Sequence, residues 1–388
     1  MVRARISDVA VAAGVSVTTV SLVLNDVESR ISEETRNRVR EAAATVGYAP
    51  SAVARGLRQQ RMRTVGIISD QIATTPYAGR MLAGAQDVAR DNGKLVILVD
   101  TGGMADIEQD AIRALASQQV DATIYAAMWH RVVEVPDGLP ADTVFLDCRP
   151  RTPGFRSVVP DDRAGGVAAT RELIAAGHRR IAFIDTELSP QRPIAADLRH
   201  AGYVEALSDA GIVPDAALHV HGEITAGGGR AATERLLDLP VEVRPTGLFC
   251  FNDRMAAGAY IAVHRRGLRI PQDISIIGYD DQQLVAAEQD PPLTTVALPH
   301  YAMGRWAMEV ALGVRATAFS GALPRPGTRE PEHGGDTSAS GEEDANHQME
   351  CPVIRRDSVG PPPAQVAKPN RRRTSQHTER PPSAAPDR

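Results

Sequence analysis

The chain has 388 residues, a formal net charge of −5, a hydrophobic fraction of 43% and only 4% aromatics. That length fits two or three domains, with cores built mostly from Ala, Val, Leu and Ile. No apolar run approaches the roughly 18–20 residues a membrane span needs. Three cysteines without CxxC spacing point to neither a disulfide framework nor a zinc cluster, so a cytoplasmic protein is expected.

Charge is unevenly spread. Residues 1–63 carry ten Arg against six acids, a balance of +4, which leaves −9 for the remainder. A basic head on an acidic body fits a head that meets an anion such as nucleic acid. Within it, Ser7 is a candidate cap for a helix carrying Val9, Ala10 and Ala13 and ending at Gly14. Ser16 is a candidate cap for a second helix, Ser16 to Leu24, with Val20, Val23 and Leu24 on one face. Ser32 caps a third, with Val39, Ala42, Ala43 and Val46 inward and Gly47 as its stop. These elements define a helix-turn-helix domain over residues 1–49, followed by a hinge or linker over residues 50–63.

From Thr64 the pattern becomes strand, loop, helix, repeated. Thr64–Ser69, Leu95–Asp100, Thr123–Met128 and Thr143–Asp147 form one set of expected strands. Arg180–Asp185, Leu218–His221, Gly247–Phe251, Ile274–Tyr279 and Thr295–Leu298 form a second. Helical stretches such as Gly79–Asn92, Ala164–Ala176 and Met255–Arg266 lie between them. Apolar strands alternating with helices predict parallel sheets covered on both faces. Two sets predict two lobes over residues 64–314, with ligands at the carboxyl ends of the strands. Residues 315–346 and 362–388 read as disordered from composition. Residues 347–361 between them, around Met349–Val359, supply one last strand.

A capped helix, a glycine turn and a second capped helix have the proportions of a helix-turn-helix. The second helix of that motif enters the major groove, which places Val17, Thr18, Ser21 and Leu22 at base edges. Ser16, Thr19 and Asn25 carry hydroxyl or amide groups suited to phosphate contacts, which fix register rather than sequence.

The run Ile6-Ser-Asp-Val-Ala-Val-Ala-Ala-Gly-Val-Ser-Val-Thr-Thr-Val-Ser-Leu-Val-Leu-Asn25 resembles the head of the lactose-repressor (LacI/GalR) family of bacterial transcription regulators. Val46-Gly-Tyr-Ala-Pro-Ser-Ala-Val-Ala-Arg-Gly-Leu57 is similar to that family's hinge. Ala176-Gly-His-Arg-Arg-Ile181, Phe251-Asn-Asp-Arg-Met-Ala256, Ile277-Gly-Tyr-Asp-Asp281 and Pro291-Pro-Leu-Thr-Thr295 follow in the family's order. The resemblance implies a homodimer reading a roughly palindromic operator on double-stranded DNA. It places hinge residues Ala54, Arg55 and Leu57 at the minor groove, with Leu57 as an apolar wedge at a base step. Leu22 departs from the family, many members of which carry Arg there. Arg reads guanine, whereas Val17, Thr18 and Leu22 favour contacts with thymine methyls.

The resemblance also implies a small all-α head on an α/β, two-lobed body like the periplasmic sugar-binding proteins, with a sugar-like effector between the lobes. Carboxylate, amide and guanidinium groups at strand ends pair with vicinal hydroxyls. The candidates are Asp70 and Asp147 in the first lobe, with Arg199, Asn252 and Asp280 in the second. Tyr77 is a candidate aromatic wall, and Trp129, Leu298 and His300 fall near strand ends. Each polar candidate also fits a plainer role as a helix cap or an ion pair between elements. His219 and His221 alternate on one strand and lack a third ligand in the sequence, so neither metal nor other cofactor is expected. A sugar-binding module without DNA function needs a secretory signal, and the chain instead begins with the helix-turn-helix pattern. An enzyme is not expected: there is no GxSxG elbow, and Gly227-Gly-Gly229 lacks phosphate-loop spacing. The tail run Arg371-Arg-Arg373 fits either DNA contact or simple solubility.

Overall fold

The computed structural model describes residues 4–24, 30–48, 63–72, 75, 78–188, 192–314 and 346–363. Asn25, Ala54, Arg55, Leu57 and Tyr77, with the expected hinge, insertion and terminal tail, lie outside the described residues apart from the ends of those segments.

Three helices make the head: α1 (Ile6–Ala13), α2 (Val17–Leu24) and α3 (Glu33–Thr45). Their apolar members close one small core of Val9, Ala10, Ala13, Val20, Val23, Val39, Ala42 and Ala43. Ser7 does not cap α1. The helix is capped two residues earlier, at Arg5, whose backbone N–H donates to Asp8 Oδ2 at 2.7 Å. An acid at the third helical position satisfies an orphan N–H and complements the helix dipole, a role Ser7 cannot fill from inside the helix. Gly14 ends α1 with φ 63°, a conformation that glycine adopts without penalty. Ser16 and Ser32 cap α2 and α3 as expected, accepting from the Thr19 and Thr35 N–H groups at 3.0 and 3.3 Å.

The first lobe holds β1 (Thr64–Ser69), α4 (Gly79–Asp91), β2 (Leu95–Asp100), α5 (Ala105–Ser117), β3 (Ala122–Val133), β4 (Val144–Pro150) and β5 (Arg156–Pro160). The second contains α6 (Asp162–Ala175), β6 (Ile181–Thr186), α7 (Ile194–Asp209), β7 (His219–Gly222), α8 (Ala226–Leu237), β8 (Gly247–Cys250), α9 (Asp253–Arg265), β9 (Ser275–Asp280) and β10 (Thr294–Ala297). The chain then returns to the first lobe through α10 (His300–Ala311) and β11 (Asn346–Met349), and ends in the second with β12 (Val353–Ile354). The sheet orders are β11-β5-β4-β3-β1-β2 and β12-β10-β9-β8-β6-β7. All pairings are parallel except β12 with β10.

Two expectations are corrected. β5 is a fifth strand of the first lobe, not foreseen because only Val158 and Val159 in it are strongly apolar. The single last strand is in fact two, β11 in one sheet and β12 in the other. The chain therefore crosses between lobes three times, after β5, after β10 and after β11.

Helices pair closely over glycines. A Cβ on Gly84 of α4 would strike the Tyr301 carbonyl of α10, and one on Gly304 would strike that of Met81. The pair Gly166 and Gly202 joins α6 to α7 in the same way, and Gly229 and Gly258 join α8 to α9. Within the Gly227-Gly-Gly229 run it is Gly229 that serves helix packing.

Candidate functional site: the interlobe cleft and the reading head

Arg199 is 4% exposed and organises the cleft. The α6–α7 contact at Gly166 and Gly202 brings its helix against Asp162, the first residue of α6. Its Nε donates to Asp162 Oδ1 at 2.9 Å and its Nη1 to the Phe251 carbonyl at 2.7 Å. Asp280 Oδ1 stands 3.5 Å from Nη1. The guanidinium lies 3.5 Å above the Tyr279 ring centroid and 4.6 Å from that of Phe251. Three of the quoted motifs converge here. Asn252 caps α9, accepting from Met255 N–H at 2.9 Å. Asp253 accepts from Thr295 Oγ1 at 2.6 Å and Gln282 N–H at 2.7 Å. Gly278 is the only residue type that leaves Asp253 its place.

From the first lobe, β3 supplies the other wall. Its register with β4 slips between the pairs Ala126–Leu146 and Arg131–Cys148, so residues 127–130 stand opposite Asp147 alone. Such an irregularity re-aims side chains, and Met128, Trp129 and His130 line the cleft as a result. Trp129 packs against the core clusters of both lobes. His130 Nδ1–H donates to Asp162 Oδ2 at 2.8 Å, tying β3 to the first lobe crossing. Asp147 and Asp280 both have positive φ, 57° and 101°. Non-glycine residues held there cost on the order of 1–3 kcal/mol, and such residues cluster at binding sites.

The electrostatics follow from one buried cation among several buried acids. Burial pushes Asp147 well above the usual carboxylate range, reinforced by Asp162. Burial likewise raises Asp280 to about 6, against the pull of Arg199. Burial acts upward on Asp162 too, but Arg199 and His130 outweigh it and hold this carboxyl below its ordinary value. Asp147 Oδ1 and Asn252 Nδ2 are buried without a hydrogen-bond partner among the described residues. The cleft encloses about 10 Å³, room for about one water.

The structure thus gathers Asp147, Arg199 and Asp280 around the cleft, with Leu298 and His300 also lining it. Asn252 is not among the residues lining the cleft and caps α9 instead. Asp70 does not line the cavity: it accepts from Gln71 and Met128 N–H groups at 2.7 and 2.9 Å and pairs with Arg131 at 2.8 Å. Asp162 and His130 were missed. The doubled acid after Pro160 is the signal for Asp162, but it gains meaning only once β5 is recognised. The premise about His219 and His221 also needs correction, because Asp185 on β6 brings a third potential ligand beside them.

On the head, Ser16, Val17 and Thr18 are exposed and Thr19, Ser21 and Leu22 half-buried. The Ser16 and Thr19 hydroxyls bond each other at 2.9 Å. Their first commitment is to the helix start. Arg38 on α3 donates to the Ala13 carbonyl at 3.1 Å and steadies the turn.

A helix-turn-helix head joined to a two-lobed binding body defines a ligand-responsive, DNA-binding regulator. The model described as "Bacterial regulatory proteins, lacI family" matches residues 5–51, and "Periplasmic binding protein-like domain" matches residues 170–318. The HTH-type transcriptional repressor PurR of Vibrio atlanticus is 35% identical over 318 residues, spanning 80% of this chain and 91% of its own. The lac repressor dimer bound to operator and the anti-inducer ONPF superposes with a TM-score of 0.71 at 25% identity, over 92% of this chain and 100% of that one. The transcriptional regulator CelR in complex with cellobiose gives 0.57 at 28% identity, over 92% and 100%. The chain belongs to the LacI family and is a transcriptional repressor of that family. Among the described residues no single helix is long and apolar enough to cross a membrane.

Proposed function

We propose that this repressor is a cytoplasmic homodimer whose operator affinity is set by a sugar or sugar derivative held between the lobes. The observation that carries the reading is the unpartnered Asp147 Oδ1 facing a cleft whose one buried cation, Arg199, is already engaged by Asp162 and Asp280. Among the described residues such a site offers acceptors, an indole face at Trp129 and no second buried guanidinium lining it. It favours a neutral, hydroxyl-rich ligand over an anionic one. That the structurally similar CelR was solved with cellobiose supports the same class. A sugar exceeds about 10 Å³, so it enters only as the lobes part. Binding therefore favours one lobe arrangement, the dimer respaces its heads, and operator affinity changes by no more than the effector's differential affinity for the two states.

At the DNA, Val17, Thr18, Ser21 and Leu22 read base edges, and Ser16 and Thr19 meet phosphates together with Asn25. Ala54, Arg55 and Leu57 act in the minor groove. The test for the effector is calorimetric titration with a panel of neutral mono- and disaccharides and their phosphates. A neutral sugar is expected to bind, and Asp147→Asn to weaken it at least about tenfold while leaving the fold intact, because the change keeps the side chain's size but replaces one carboxyl oxygen with an amide donor. Binding of phosphorylated sugars only, or binding indifferent to Asp147→Asn, contradicts the assignment.

A further inference from the structure

A second polar cluster lies apart from the cleft, at the carboxyl ends of β6 and β7. In register, His219 faces Phe183 and His221 faces Asp185. Alternate residues of a strand share a face, so both imidazoles and the Asp185 carboxylate stand on the same side of the sheet. Ligand atoms of Asp185, His219 and His221 all lie within 4.8 Å of one another. His219 Nε2 is 2.9 Å from Asp185 Oδ2, a few tenths of an ångström short of the roughly 3.3 Å between two ligands of a tetrahedral metal at bond lengths of roughly 2.0–2.1 Å. His221 Nδ1 lies 3.0 Å from the Thr186 carbonyl. A carbonyl only accepts, so Nδ1 carries the hydrogen, and in the neutral ring the lone pair is on Nε2. That is the orienting contact a metal-binding imidazole usually makes. His200 from α7 stacks on His219 at 4.1 Å and fixes its ring plane.

We propose that Asp185, His219 and His221 form a binding site for a transition-metal dication of the zinc class, with a fourth position open to water. Two imidazoles and one carboxylate suit zinc rather than calcium or magnesium, which prefer all-oxygen sets. The metal takes the place of the hydrogen shared between His219 Nε2 and Asp185 Oδ2, and side-chain rotation of about an ångström closes the set. Arg192 is the competing cation: it donates to Asp185 Oδ2 at 2.8 Å and to Asp197 Oδ1 at 2.9 Å. The Asp185 and Asp197 carboxylates outnumber it two to one.

The experiment uses the full chain, stripped with chelator and desalted, then titrated with zinc chloride by calorimetry, with bound metal counted after dialysis. One zinc per chain is expected. His219→Gln with His221→Gln should weaken that site at least about tenfold, while circular dichroism and melting stay those of a folded protein. Arg192→Gln should instead tighten it by removing the adjacent positive charge. Cobalt substitution gives a second readout, visible absorption bands of a tetrahedral site that vanish in the double variant. A folded chain that binds no zinc, or zinc binding indifferent to the double replacement, overturns the assignment. Loss of sugar response with zinc binding intact bears on the cleft alone, so the two readings fail separately.

Discussion

Arg199 is the residue on which the cleft depends. Its guanidinium answers Asp162 and Asp280 and is sandwiched by Tyr279 and Phe251. Removing one partner of a buried ionic set leaves the others uncompensated, at about 3–5 kcal/mol. Arg199→Ala should therefore lower denaturant stability by roughly that amount and abolish the effector response, whereas Asp147→Asn should lose only the response. Asp280 contributes to the pH dependence beside Asp147 and Asp253, whose carboxyls burial also raises. Burial lifts the folded pKa of Asp280 to about 6, above that of a free carboxyl, so around that pH the folded state holds more protons than the unfolded one. Stability should rise as pH falls from 7 toward 5. Melting curves across that window should show a shallower slope in Asp280→Asn, and an unchanged slope would refute the assignment. Leu22→Arg should create a guanine preference worth about 1–3 kcal/mol, readable as a shifted consensus in bound DNA. These residues were legible unequally. Asp147, Arg199 and Asp280 stood out in the sequence, but Asp162 and His130 acquire their role only through the β3 irregularity and the lobe crossing, neither of which leaves a periodic trace.

At the scale of elements, the alternation of apolar strands and helices was easily read, and β1 and β2 match their expected limits residue for residue. Elements specified by long-range pairing were not. β5, β11 and β12 are short, and each is a strand because of the neighbour it finds. The tail's attachment is similar. His178, from the Ala176-Gly-His-Arg-Arg-Ile181 motif, bonds Thr246 Oγ1, Ser275 Oγ and the Gly360 carbonyl, each at 2.9 Å. His178→Ala removes all three bonds and leaves Ser275 Oγ and the Gly360 backbone only each other, which should cost about 1–3 kcal/mol, with earlier proteolysis of the segment after Val353. The glycine-mediated helix pairs give a sharper test. Gly304→Ala forces α10 away from α4 and should destabilise the first lobe by about 1–3 kcal/mol or more. The same change at Gly227, which has no backbone within contact distance, should be nearly neutral. Equal effects at the two sites would contradict the packing argument.

At the scale of the whole molecule, the three crossings between lobes make the cleft a place where a small ligand can bias a large arrangement. The His130–Asp162 hydrogen bond and Trp129, which touches both cores, are the contacts such a change must remake. The central claim is that this chain is a sequence-specific, dimeric DNA reader answering to an effector in that cleft. The most direct measurement is selection of bound duplexes from a random pool at about 150 mM salt, where non-specific phosphate binding is weakened, repeated with each sugar that binds the cleft. The account predicts an enriched, pseudo-palindromic site with thymine-rich half-sites, and an affinity for it that shifts with sugar in the wild type but not in Asp147→Asn. Binding that never enriches a sequence with or without sugar, or an enriched site whose affinity ignores every cleft ligand, would contradict it.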